Sequence, residues 1–153
     1  MATALDMINN LNRFDVKTQT TKVFTNNAVH VIELNQAQML KGVKSSGAGI
    51  GTYSKSPLGR QYAEFKAQLN PEAGAGNVDL KLTGSFYRGM KMEIRGENIN
   101  IESSDRKAAQ LETKYDKDKK LYGLTKENWQ IWLDEIFMPD YMIEFTKATG
   151  LKI

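Results

Sequence analysis

Between residues 90 and 102 apolar and polar side chains alternate with period two. Met90, Met92 and Ile94 interleave with Lys91, Glu93 and Arg95, and Ile99 and Ile101 interleave with Asn98, Asn100 and Glu102. That period predicts two β-strands, each with one apolar and one polar face. Gly96 and Glu97 between them form a two-residue loop with glycine first, a type favoured in hairpins. Closing there sets Ile94 opposite Ile99, Met92 opposite Ile101 and Lys91 opposite Glu102. A slip of one residue would put Ile99 opposite Arg95 and spoil both faces, so the register is specified. Such a hairpin is marginal by itself and needs a third strand or a helix over its apolar side.

Helical spacing predicts the covers. Leu5, Ile8 and Leu11 make a short amphipathic stretch whose Asn9 and Asn10 face water. Val29, Ile32, Leu34, Met39 and Leu40 predict a second helix, with Asn26 or Asn27 at its start and Gly42 at its end. After the hairpin, "SSDRKAAQLETKY" reads as a short helix capped by Ser103 or Ser104, with Asp105 in its first turn. Thr125 caps "KENWQIWLDEIF", in which Trp129, Trp132, Leu133, Ile136 and Phe137 follow helical spacing. Pro139 breaks that helix or opens a new one, and Met142, Ile143 and Phe145 continue the stripe to Gly150. The tryptophan-bearing helices are the expected cover of the hairpin. The fold class expected is α+β: an antiparallel sheet built around a β-hairpin (about 86–103), packed by N- and C-terminal helices.

Periodicity fails from Lys44 to Asn77. Two glycine-rich stretches, "KSSGAGIGTYSKSPLGR" and "LNPEAGAGN", bracket "QYAEFKAQL", which has room for a helical turn or two. Residues 43–77 are therefore expected to be an extended or flexible arm within a single domain, 1–153. So long an irregular stretch inside a compact chain points to a functional segment, or to one that orders on a partner.

Composition narrows the chemistry. The 153 residues are 41% hydrophobic and 25% charged, and contain no cysteine and one histidine. Disulfides, thiolate nucleophiles and cysteine-histidine metal sites are excluded by number, and His30 lies within a predicted helix with no triad around it. No calcium loop of the D-x-D-x-D-G type occurs, and "SGAGIGTYS" fits neither phosphate-loop pattern. No apolar run is long enough to cross a membrane, and the N-terminus lacks the pattern of a secretion signal. The expectation is a non-enzymatic protein without cofactor or metal.

The net charge of +3 lies wholly in the first half: residues 1–77 carry 8 basic and 5 acidic groups, and residues 78–153 carry 13 of each. Lys41, Lys44, Lys55, Arg60 and Lys66 oppose only Glu64, with Tyr53, Tyr62 and Phe65 interleaved. Cations with aromatics suit a nucleic-acid surface, charge for phosphates and rings for bases. The same pattern suits a solvated arm or one that docks on an acidic protein neighbour. The candidate partner-binding residues are Lys41, Lys44, Tyr53, Lys55, Arg60 and Tyr62.

Three stretches carry a family resemblance. "QMLKGVKSSGAGIGTYS" has Gln38, Gly42, Gly47, Ile50, Gly51, Tyr53 and Ser54 on recurring positions. "VDLKLTGSFYRGM" matches a strand entry at Asp79, Leu80, Leu82, Thr83, Gly84 and Phe86, and "INIESSDRKAAQLETKYDKDKKLYGLT" matches the strand, helix and turn that follow. From about Gln36 to Thr125 the chain resembles small neck proteins of tailed bacteriophages, the head-tail connector, tail-completion and virion-morphogenesis ring proteins found in phages of gut bacteria. It departs from their pattern at Lys44, often acidic there, and at Asp116, where a glycine usually follows the tyrosine. The resemblance implies a structural virion protein, made in the host cytoplasm, that forms a homo-oligomeric ring, a hexamer or dodecamer, between portal and tail. Its implied partners are further copies of itself, the portal, neighbouring neck and tail proteins, and DNA passing through the lumen, with no membrane. The alternative is a nucleic-acid-binding module using residues 41–66.

Overall fold

The computed structural model describes residues 3–151. Three helices come first: α1 (Ala4–Arg13), α2 (Val16–Asn26) and α3 (Ala28–Leu40). Thr3 and Asp6 form a reciprocal capping box at the start of α1, and the Asp15 carboxylate accepts from the amides of Lys17 and Thr18 at the start of α2. Beyond the arm come a helix of one turn, α5 (Ser85–Arg88), the strands β1 (Met90–Arg95) and β2 (Asn98–Ser103), and α6 (Ala108–Tyr115). The chain closes with α7 (Lys126–Trp132), a π-helical turn (Leu133–Phe137) and α8 (Met138–Thr149). The fold is α+β, with helices packed around an antiparallel hairpin.

The hairpin has the expected register, with Lys91 paired to Glu102, Met92 to Ile101 and Ile94 to Ile99. Gly96 takes φ +65°, a left-handed value that costs glycine nothing. On the wet face Lys91 meets Glu102 at 3.1 Å, and Glu93 is held below the usual carboxylate range first by Arg95 and then by Lys91. On the other face Met90 and Ile101 are buried, and the cover is α3 with part of α2. The tryptophans expected there lie elsewhere: Trp132 packs with Phe24 at 4.6 Å and Phe137 at 5.3 Å, between the C-terminal helices and α2. Helix α3 packs on β1, and Ile99 near the turn stays exposed.

Helix α3 ends as the sequence predicts. Gly42 at φ +75° lets its own amide reach the Met39 carbonyl and the Val43 amide reach Gln38, the paired bonds of a Schellman motif. Asn27 stands at the start of α3 but does not cap it; its side chain donates to the Val23 carbonyl and to Asp140. The buried amides of α3 hold the turn after α6: Asn35 donates to the Gly123 carbonyl, and Gln38 accepts from the Thr125 amide and the Asn128 side chain. Thr125 in turn caps α7 by accepting from the Asn128 amide.

Two elements differ from the sequence reading. Ser103 and Ser104 do not cap α6; they donate to the carbonyls of Phe86 and Gly89, which ties the hairpin's end to α5, and α6 starts later. Pro139 stands in the first turn of α8, the second of the two outcomes its position allowed, where its missing N–H costs nothing, and the π turn before it joins α7 to α8. Finally, α1 forms as expected but buries none of its residues. Leu5, Ile8 and Leu11 stay exposed, and Phe14 makes the contact instead, edge-on to Phe145 at 5.0 Å and to Tyr141 at 6.2 Å. Among the described residues no helix is long and apolar enough to cross a membrane.

Candidate functional site

The arm holds more regular structure than its glycines suggest. Residues 57–69 form a 13-residue helix, α4 (Pro57–Leu69), followed by a 3₁₀ turn (Pro71–Ala73). Ser56 caps α4 by accepting from the Gly59 amide, and Pro57 sits in the first turn, where its missing N–H costs nothing. The arm is also tied into its own chain. Val43 bridges Gly49, Thr52 bridges Asn77, and Ile50 and Ala73 are buried.

A buried ion pair fastens the C-terminal half of α4. Lys66 and Asp79 have side chains only 4% and 2% exposed, with Nζ and Oδ1 2.7 Å apart. Asp79 also accepts from Asn70 Nδ2 at 2.8 Å and from the Lys81 amide at 3.0 Å, while Asn70 donates to the Leu40 carbonyl at the end of α3. The Lys66 ammonium further donates to the Lys81 carbonyl, and the Tyr87 hydroxyl donates to the Asp79 carbonyl. With each ion also hydrogen-bonded to further groups, the pair approaches the condition under which buried charges are tolerated.

The rest of α4 is uncovered. Leu58, Tyr62, Phe65 and Leu69, at spacings of four, three and four, remain exposed, Leu58 by 77% and Phe65 by 47%. Between this helix, the segment 78–86 and α6 runs a groove of about 840 Å³. Its walls are apolar, formed by Leu58, Tyr62, Leu80, Leu82, Phe86 and Leu111. Its rim carries Lys81, Arg106, Lys107 and Lys114, none of which makes a salt bridge among the described residues. Asp105 is the rim's carboxylate, held below its ordinary pKa by the Ser85 hydroxyl and the Lys107 amide.

The residues singled out from the sequence divide. Tyr53 and Tyr62 come together edge-on at 5.2 Å on one side of the groove, with Phe65 next at 6.3 Å from Tyr62. Burial pushes the Tyr53 phenol well up, with Asp79 adding to the shift, so it stays protonated and serves as a neutral wall. Lys41, Lys55 and Arg60 are exposed. Lys44 is not available to a partner: it is buried, and its ammonium lies 2.9 Å from Asp118. Asp116 likewise serves the chain's own fold, accepting from the Leu121 amide at 2.7 Å. The cationic rim was missed in the sequence because Lys81 lies far along the chain from Arg106, Lys107 and Lys114. The α4 stripe was missed as well, although the four-three-four spacing of Leu58, Tyr62, Phe65 and Leu69 is the signal that could have found it.

The Lys44–Asp118 pair gives a pH dependence. The hydrogen bond from Lys44 holds Asp118 below the usual aspartate value of about 3.9. A carboxylate depressed in the folded state adds stability above its unfolded pKa and loses it as pH falls through the folded pKa. Asp118→Asn is therefore expected to melt earlier than the parent chain at neutral pH. The gap should begin to narrow as pH falls below about 4 and close once the folded carboxylate is protonated at lower pH still, and a gap that does not narrow in acid would refute the assignment.

His30 is half exposed beside Glu33 at 3.3 Å. Among the described residues no cluster of histidine and carboxylate side chains gathers that could hold a metal ion. The groove offers an apolar seat bordered by positive charge. No known protein family, curated protein or solved structure matches the chain.

Proposed function

We propose that the protein is a non-enzymatic structural component of a tailed-phage virion, one subunit of the ring joining portal and head to tail. The observation that carries this reading is the uncovered apolar stripe of α4, exposed along a helix whose Lys66 is fastened to its own chain by a buried ion pair. A continuous exposed apolar stripe suits a subunit whose neighbour in an assembly covers it. The order of segments that resembles neck proteins agrees with this role, as does an arm anchored at its base and open at its tip. The nucleic-acid alternative draws less support, because Lys44 is neutralised by Asp118 and the two tyrosine rings meet edge to face rather than offering parallel faces to bases.

The arm also supplies core residues, Ile50 and Ala73, so removing it whole would unfold the chain rather than test the arm. A surface change is the sharper probe. Leu58→Glu with Phe65→Glu is expected to leave the melting temperature within a few degrees of the parent, since both positions face water. Particles assembled with the variant should accumulate as heads without joined tails, and labelled antibody should mark the neck of parental particles in electron micrographs. Purified parental particles that contain none of the protein would refute the reading.

A further inference from the structure

A groove with apolar walls and a cationic rim selects an occupant that is apolar along its middle and anionic at its edges. The same chain presents such a surface. On α7, the π turn and the start of α8, Ile131, Leu133 and Met138 are exposed by 43%, 39% and 41%. Glu127, Asp134 and Glu135 are exposed beside them. Asp134 accepts from Gln130, and neither Glu127 nor Glu135 has an ion-pair partner among the described residues. This face contributes nothing to the lining of the groove.

We infer that the acidic, apolar face of α7 and the π turn on one copy seats in the α4 groove of the next copy. Ile131 and Met138 would lie against Leu58, Tyr62 and Leu82, with Glu127 and Glu135 among Lys81, Arg106, Lys107 and Lys114. This is a helix laid in a groove, with apolar anchors giving affinity and the charged edges setting orientation. The assignment rests on the reading of the protein as a repeated virion component and names the surfaces that reading requires. Its geometric consequence is specific. Two different patches meet, so each copy keeps one free groove and one free face after a single contact. The contact then repeats head to tail until it closes as a ring or runs on as a filament, unless two copies close reciprocally about a two-fold axis.

Charge reversal tests it on the intact protein. In sedimentation velocity at low ionic strength the parent chain should associate with rising concentration, and added salt should weaken the association. K107E with K114E, or separately E127K with E135K, should each weaken self-association by about tenfold or more. All four side chains are exposed, so melting curves should match the parent's. An equimolar mixture of the two variants should associate again, because the reversed groove of one accepts the reversed face of the other. Association unchanged by either reversal would overturn the inference, as would a parent chain that stays monomeric at every concentration. Reversals that leave self-association intact but block incorporation into particles would assign the groove to a different protein and also overturn it. Presence of the protein in purified particles decides the virion reading separately, whichever way the reversals fall.

Discussion

Replacing Asp79 with alanine is expected to destabilise the protein by about 3–5 kcal/mol, because it strands a buried ammonium. Lys66 is 4% exposed and has no water to turn to, and its remaining contact would be the Lys81 carbonyl. Asn70 Nδ2 and the Lys81 amide lose an acceptor in the same step, each adding the cost of an unmade hydrogen bond. The loss should therefore exceed that of an exposed pair such as Lys91–Glu102, worth about 0–1 kcal/mol. The paired change K66M with D79N makes the argument falsifiable. It removes the charge yet keeps an oxygen for the Lys81 amide, and should recover at least half of the loss. Urea unfolding of the parent and both variants measures it. A loss under about 1 kcal/mol for Asp79→Ala would mean that the ammonium finds solvent and that the pair does not fasten α4.

The pair also matters for function, through position. Asp79 begins the segment that forms one wall of the groove, and Lys66 stands on the helix that forms the other. Asn70 extends the same fastening to the end of α3. The groove's width is thus set by one buried contact and its neighbours at the C-terminal half of α4, while the half that carries Leu58 projects. A helix fastened through its buried Lys66 can present its apolar stripe without collapsing onto its own core. Gly59 keeps the free end close to the preceding loop, because a Cβ there would lie 2.2 Å from the Ser54 carbonyl oxygen.

Local signals in the sequence were read well where they were sufficient. Strict alternation and a glycine at the turn leave the hairpin one sensible register, and Gly42 and Thr125 mark helix ends because each satisfies backbone groups within its own turn. Helix α2 was not read, since "VKTQTTKVFTN" is rich in β-branched residues and has no apolar stripe; Asp15 caps it, and only Val23 is buried. The length of α4 was hidden by flanking glycines, although Ser56 and Pro57 are a good start signal. The pairing of Lys66 with Asp79, and the gathering of Lys81, Arg106 and Lys114 on one rim, depend on how the chain returns on itself. Lys44 shows the converse error. A cation in a glycine-rich run looks solvated until the turn at Asp118 is folded against it.

The C-terminal rod that carries the acidic face depends on Trp132, and Trp132→Ala is expected to cost about 3–5 kcal/mol. The indole is wholly buried, with Phe24 at 4.6 Å, Phe137 at 5.3 Å and Trp129 edge-on at 5.6 Å. Its removal leaves a void among rings from three segments that cannot all move in to fill it. Trp132→Phe should behave differently. The indole Nε1–H is buried without an acceptor among the described residues, a burden of about 1–3 kcal/mol that phenylalanine does not carry. Relief of that burden offsets part of the lost volume, so the phenylalanine variant should fall less than half as far as the alanine variant in urea unfolding. Equal losses would mean that Nε1 donates to a buried water, and that the ring is held by polarity as well as by packing. Trp132 ends α7 at the π turn, so loosening it should also blur the placement of Glu135 and Met138. The alanine variant should consequently self-associate more weakly than the phenylalanine variant, even at temperatures where both remain folded.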